Sequence, residues 1–89
     1  MKTQTQSDID FNSVIGLKIK ARRRELRLTQ TELANSLGVT FQQIQKYEKG
    51  INACSAKRIV ELSNALHKPI LYFFENEKKE VQDDQSKSW

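Results

Sequence analysis

Gln42, Gln45, Lys46 and Lys49 fall close together in "FQQIQKYEKG", residues 41–50. At about 100° per residue they share one side of a helix, while Ile44, Tyr47 and Glu48 share the other and Phe41 stands at the N-terminal tip. Amides beside ammonium groups have the chemistry of base-edge contact: a glutamine pairs bidentately with adenine in the major groove, and a lysine reaches guanine or a phosphate. By composition the same face is an ordinary solvated surface, because Gln and Lys are good helix formers. What separates the two readings is whether the surrounding residues are spaced to hold this helix against another.

They are so spaced. Thr29 with Glu32 makes an S/T-x-x-E capping box, and Thr40 with Gln43 makes its S/T-x-x-Q counterpart, each marking a helix start. Gly38 sits where the first of these helices must stop, a place that often needs positive φ. The pattern predicts helices over 30–37 and 41–49, the second ended by Gly50. Their connection "GVT" matches the tight turn of a helix-turn-helix. Leu33, Ala34 and Leu37 line the inner face of the first helix, with Ala34 small enough for close crossing. Val39 plugs the turn, and Ile44 and Tyr47 face back.

Three further helices complete the reading. Ile15, Ile19 and Leu26 form one stripe of a helix over 13–27. Ser55 caps a helix over 56–66 with Ile59, Leu62 and Leu66 inward, and Pro69 opens a last short helix carrying "ILYFF". The expected architecture is all-α: a compact five-helix domain over 13–75, a flexible lead-in over 1–12 and a charged tail over 76–89. No stretch reads as a strand.

Length and composition narrow the class. A chain of 89 residues supports one modest core. One Cys and one His cannot form an internal disulfide or the usual four-ligand zinc site, so no metal or other cofactor is expected and Cys54 reads as a reduced, incidental thiol. "MKTQTQSDID" lacks an apolar signal region and no run approaches the roughly 20 apolar residues of a membrane span. A soluble, cytoplasmic protein follows, with no membrane contact. Residues 1–74 carry twelve basic and six acidic side chains, against three and five in 75–89, so a +6 body precedes a −2 tail. Such a body suits a polyanion, although excess Lys and Arg also serve solubility. No His-paired nucleophile, phosphate-binding glycine loop or carboxylate pair suggests an enzyme, and no small-molecule ligand is evident.

"LTQTELANSLGVTFQQIQKYEKG", preceded by "IGLKIKARRREL" and followed by "ALHKPILYFF", resembles the phage lambda-type repressors and Cro, the XRE family of helix-turn-helix proteins. The match runs over 15–74, roughly two thirds of the chain. The resemblance implies a five-helix lambda-repressor-like domain that binds double-stranded operator DNA as a homodimer, nucleoid-associated in a bacterium or phage-infected cell, with the third helix in the major groove. It places Gln30 on a phosphate and against the first turn of the recognition helix. Thr40, Phe41, Gln42, Gln45 and Lys46 match the recognition positions; Gln43 and Lys49 match flanking positions that touch the DNA backbone. Arg23 and Glu48 match a pair tying the first helix to the end of the third, a structural role first and a DNA-facing one second. Lys20 and Arg27 share the Arg23 flank, facing phosphates or merely solvated.

Two departures from the family pattern leave alternatives open. Phe41 replaces a polar base-reading residue and either meets a thymine methyl or packs on Gln30 or Gln45. The loop "INACS" is poor in bases, so phosphate contacts there fall to backbone N–H groups, Asn52, Lys57 or Arg58. Ile70, Leu71, Tyr72, Phe73 and Phe74 cannot all face one core, which leaves a remainder for the homodimer contact, and His67 reads as a solvent-facing loop residue. The expected function is a DNA-binding transcriptional repressor occupying a pseudo-palindromic operator. The alternative is an antitoxin-like or adaptor module whose tail binds a protein.

Overall fold

The computed structural model of the chain describes residues 10–75. Residues 1–9 of the expected lead-in and the whole 76–89 tail, with Trp89, lie outside the described residues. Four α-helices follow in order, α1 (Phe11–Glu25), α2 (Gln30–Leu37), α3 (Phe41–Glu48) and α4 (Ala56–Leu66), and a 3₁₀ helix (Ile70–Phe74) closes the domain. Among the described residues there is no strand.

Side-chain caps set the helix starts. α1 begins at Phe11, before the expected Ser13, because the Asp10 carboxylate accepts from the Asn12 N–H at 3.1 Å and the Ser13 hydroxyl at 2.9 Å. Apolar periodicity missed this first turn, since Phe11 is half exposed and the inward stripe starts only at Ile15. α2 has the full capping box: Thr29 Oγ1 accepts from the Glu32 N–H at 2.9 Å and Glu32 Oε1 accepts from the Thr29 N–H at 2.8 Å. α3 uses the first half of that device, Thr40 Oγ1 accepting from the Gln43 N–H at 3.2 Å. Ser55 Oγ does the same for the Arg58 N–H at the start of α4, at 3.1 Å.

The helix ends share one mechanism. Arg27, Gly38, Gly50 and His67, each just past a helix, all have positive φ, and the next residue's N–H returns to a carbonyl five positions back: Leu28 to Arg23, Val39 to Ala34, Ile51 to Lys46 and Lys68 to Ser63. Glycine takes this conformation freely. Arg27 and His67 take it at a cost of about 1 kcal/mol each, and nothing in their residue types marked them.

The core gathers Ile15, Ile19, Leu33, Ala34, Ile44, Tyr47, Ile59, Leu62, Leu66 and Phe73. Burial of each larger side chain contributes about 1.5–3 kcal/mol relative to exposure. α1 crosses α3 at backbone contact, for a methyl group at Gly16 would lie 2.3 Å from the Tyr47 carbonyl oxygen and 2.6 Å from that of Glu48. α1 also secures the far end of the domain, where Arg22 Nε donates to the Leu66 carbonyl at 2.8 Å and so caps α4.

The expected fifth α-helix is a correction. "ILYFF" forms a 3₁₀ turn whose first bond runs from the Tyr72 N–H to the Pro69 carbonyl at 3.0 Å. Five residues are too short to accumulate α-helical bonds, and the tighter turn drives one ring, Phe73, completely into the core. Tyr72 stays half-buried, its ring edge-on to Phe73 with 5.1 Å between centroids and the ammonium groups of Lys18 and Lys68 at 4.9 and 4.8 Å from its centre.

Candidate nucleic-acid interface

α3 is held from behind by Ile44, Tyr47 and Glu48, all buried. On the outward side Phe41, Gln42, Lys46 and Lys49 are exposed, while Gln45 and Gln43 are half-buried. Thr40, the cap, is exposed at the helix tip. Glycine and alanine at the turn let α2 and α3 meet closely: Ala34 is 1% exposed and Gly38 makes the left-handed bend at φ 73°.

A buried carboxylate fixes the direction in which that face points. Glu48 Oε2 accepts from Arg23 Nε at 2.6 Å, and Glu48 Oε1 accepts from Arg23 Nη2 at 3.1 Å and from Gln30 Nε2 at 3.0 Å. The third guanidinium nitrogen, Nη1, donates to the Leu28 carbonyl at 2.8 Å. One side chain of α3 is thereby tied to α1 and to the first residue of α2. A bidentate guanidinium–carboxylate pair restricts rotation as well as translation, so the C-terminal end of α3 is aimed by geometry rather than by apolar contact only.

The expected Arg23–Glu48 tie is present, and Gln30 joins it. Arg23 is buried, 8% exposed, and all three of its nitrogens donate into the protein, so it positions α3 and does not sit on the outer surface. Gln30 donates to the last residue of α3, where the carboxylate already ordered by Arg23 offers a lone pair beside the start of α2. Lys20 is half-buried on α1, and Arg27 is exposed at the left-handed end of that helix.

The loop after α3 is fixed by its own residues. Gly50 approaches α1 so closely that a Cβ there would fall 2.7 Å from Ser13 Oγ. Arg58 is engaged by the protein, its Nε donating to the Tyr47 hydroxyl at 3.2 Å and its Nη1 to Glu61 at 2.6 Å, which leaves Lys57 as the exposed cation at the start of α4. Burial pushes the Cys54 thiol up to about 11, against a smaller opposing pull from Arg58, so it stays protonated at neutral pH. Among the described residues no group of three or more His, Cys, Asp and Glu side chains is placed to hold a metal ion. The close approaches of Gly16 and Gly50 to α3 and α1 carried no sequence signal beyond the residue type, since a glycine inside a helical pattern reads only as a weak helix former.

Comparison with known proteins agrees with this geometry. The family model described as helix-turn-helix matches residues 19–73. The chain belongs to that family. The group is the XRE type, and relatives of this chain are named as HTH-type transcriptional regulators. Among its relatives is an uncharacterized HTH-type transcriptional regulator of Sinorhizobium medicae, 48% identical over 62 residues, which are 70% of this chain and 45% of that protein. Another, from Rhodospirillum rubrum, is an uncharacterized transcriptional regulator in the ATPase CF(0) region, 46% identical over 72 residues that make up 81% of this chain and 65% of the relative. The chain thus spans roughly half to two thirds of these relatives. In fold it is similar to the clp gene regulator ClgR from C. glutamicum, with TM-score 0.68, 19% identity and coverage of 71% of this chain and 82% of that one. It is also similar to the restriction-modification controller protein C.AhdI from Aeromonas hydrophila, with TM-score 0.67, 24% identity and coverage of 71% and 91%. Among the described residues no helix is long and apolar enough to cross a membrane.

Proposed function

We propose that the chain is a sequence-specific transcriptional repressor that occupies a pseudo-palindromic operator as a homodimer, with α3 in the major groove of each half-site. The observation that carries the reading is the pairing of an amide-and-ammonium outer face on α3 with a buried three-donor clamp on Glu48 that fixes its direction. Gln42, Gln45 and Lys46 meet base edges in this account. Thr40, Gln43, Lys49 and Lys20 lie along the sugar-phosphate backbone, and the second amide hydrogen of the half-buried Gln30 is offered to a phosphate beside α2. A reader of palindromic DNA needs a self-complementary surface. Ile70, Leu71 and Phe74, exposed beside the buried Phe73, offer apolar area for one.

The test is selection from a randomised duplex library with a salt titration of the retained fraction. The expected result is a two-fold symmetric motif with half-site centres about 34–36 Å apart, or a multiple of that, and affinity that falls with salt as counterions are released. Retention of all sequences equally at every salt concentration would remove the specific-reader function.

A further inference from the structure

On the outward side of α3 one side chain has no polar group to offer a base. Phe41 opens the helix directly after the Thr40 cap, remains 41% exposed and is not among the hydrophobic residues packed on the core. Gln45 stands one helical turn away on the same side, and Gln42 and Lys46 lie further round the outward face. Burying a phenyl ring against a base edge that carries only donors and acceptors would strip their hydration without replacing it. In the major groove one apolar group escapes that penalty, the C5 methyl of thymine.

We propose that Phe41 reads the C5 methyl of a thymine at the position facing the tip of α3, so that each half-site carries a thymine there. This rests on the docking of α3 set out above. The contact selects in two ways: thymine gains apolar burial, and cytosine at the same place would leave its exocyclic amino group beside the ring with no acceptor. Gln42, next along the helix, reads the neighbouring pair by hydrogen bonding, so one turn of α3 combines a shape contact with a donor–acceptor contact.

Deoxyuridine scanning separates this from other uses of the ring. In a duplex recovered by selection, each thymine is replaced in turn by deoxyuridine, which removes the methyl and keeps base pairing and every groove donor and acceptor. The wild-type chain is expected to lose about fourfold in affinity at one position of a half-site, the size of burying a single methyl group. Phe41→Ala, at an exposed helical position where it is tolerated by the fold, is expected to bind thymine and deoxyuridine equally at that position, and Phe41→Leu to keep part of the preference. A flat scan on a duplex that is still bound specifically would overturn the Phe41 assignment and leave the docking of α3 standing. A methyl effect that persists in Phe41→Ala would assign the methyl to another side chain and overturn it too. Failure of selection to recover any motif would overturn both readings.

Discussion

Glu48 holds the outer face of α3 in place without touching the solvent on that side. It is 7% exposed and accepts from Arg23 twice and Gln30 once. Removing it leaves a guanidinium buried without a counter-charge, whereas removing both partners for apolar groups of similar volume leaves nothing unpaired. Glu48→Ala is therefore expected to destabilise the domain by about 3–5 kcal/mol, and Arg23→Met with Glu48→Leu to recover most of that loss, both measured by urea denaturation. Gln30→Ala removes one hydrogen bond to the carboxylate and is expected to cost about 1.5–3 kcal/mol at most. At this scale the sequence was unevenly legible. The caps Thr29, Thr40 and Ser55 follow from local spacing, but Arg23 and Glu48 stand 25 positions apart and no local periodicity joins them. Family resemblance supplied that pair but not the Gln30 bond to the same carboxylate, since a neutral amide takes whichever acceptor the folded packing brings near.

Glycines at element boundaries and crossings do different jobs, and substitution separates them. Gly38 has nothing within 4 Å of where a Cβ would stand, so Gly38→Ala meets only the cost of a left-handed conformation, about 1–2 kcal/mol. Gly16 lies in the middle of α1, where alanine is normally the better helix former. Its Cβ would strike the backbone of Tyr47 and Glu48, so Gly16→Ala is expected to be the more damaging change, by about 1–3 kcal/mol, and to displace the end of α3. Comparative denaturation of the two variants checks the order. The bounds of α2 and α4 match the sequence reading because each has a capping side chain at its start and a complete inward stripe. α1 departs at both ends. Its first turn is capped by an Asp that lies in a polar stretch, and its last residues are closed by Arg27, whose residue type gives no hint of positive φ. The 3₁₀ helix departs for a third reason: an unbroken apolar run has no period from which its turn geometry could be read.

Across the described residues, excess positive charge and an exposed apolar edge both face outward. Leu71 is 72% exposed, Ile70 43% and Phe74 38%, all in the 3₁₀ helix. If two copies meet there, Leu71→Glu places like charges across the two-fold axis at little cost to the monomer. Sedimentation is expected to show a shift toward monomer, and affinity for a duplex with two half-sites is expected to fall while that for a single half-site does not. All-helical architecture and the helix-turn-helix were legible from periodicity, caps and one short turn. Which surface a second copy would cover was not, because a sequence pattern marks which residues are apolar and leaves open whether another chain covers them.

The central claim is that α3 reads base edges through its outer face. Its most direct test compares Gln42→Ala with the wild-type chain on the selected duplex and on random-sequence duplex at one salt concentration. The account predicts a loss of about 1–3 kcal/mol, roughly 5-fold to 150-fold, on the selected duplex and an unchanged affinity for random DNA. Equal affinity of the two proteins for the selected duplex, or an equal loss on both duplexes, would contradict it.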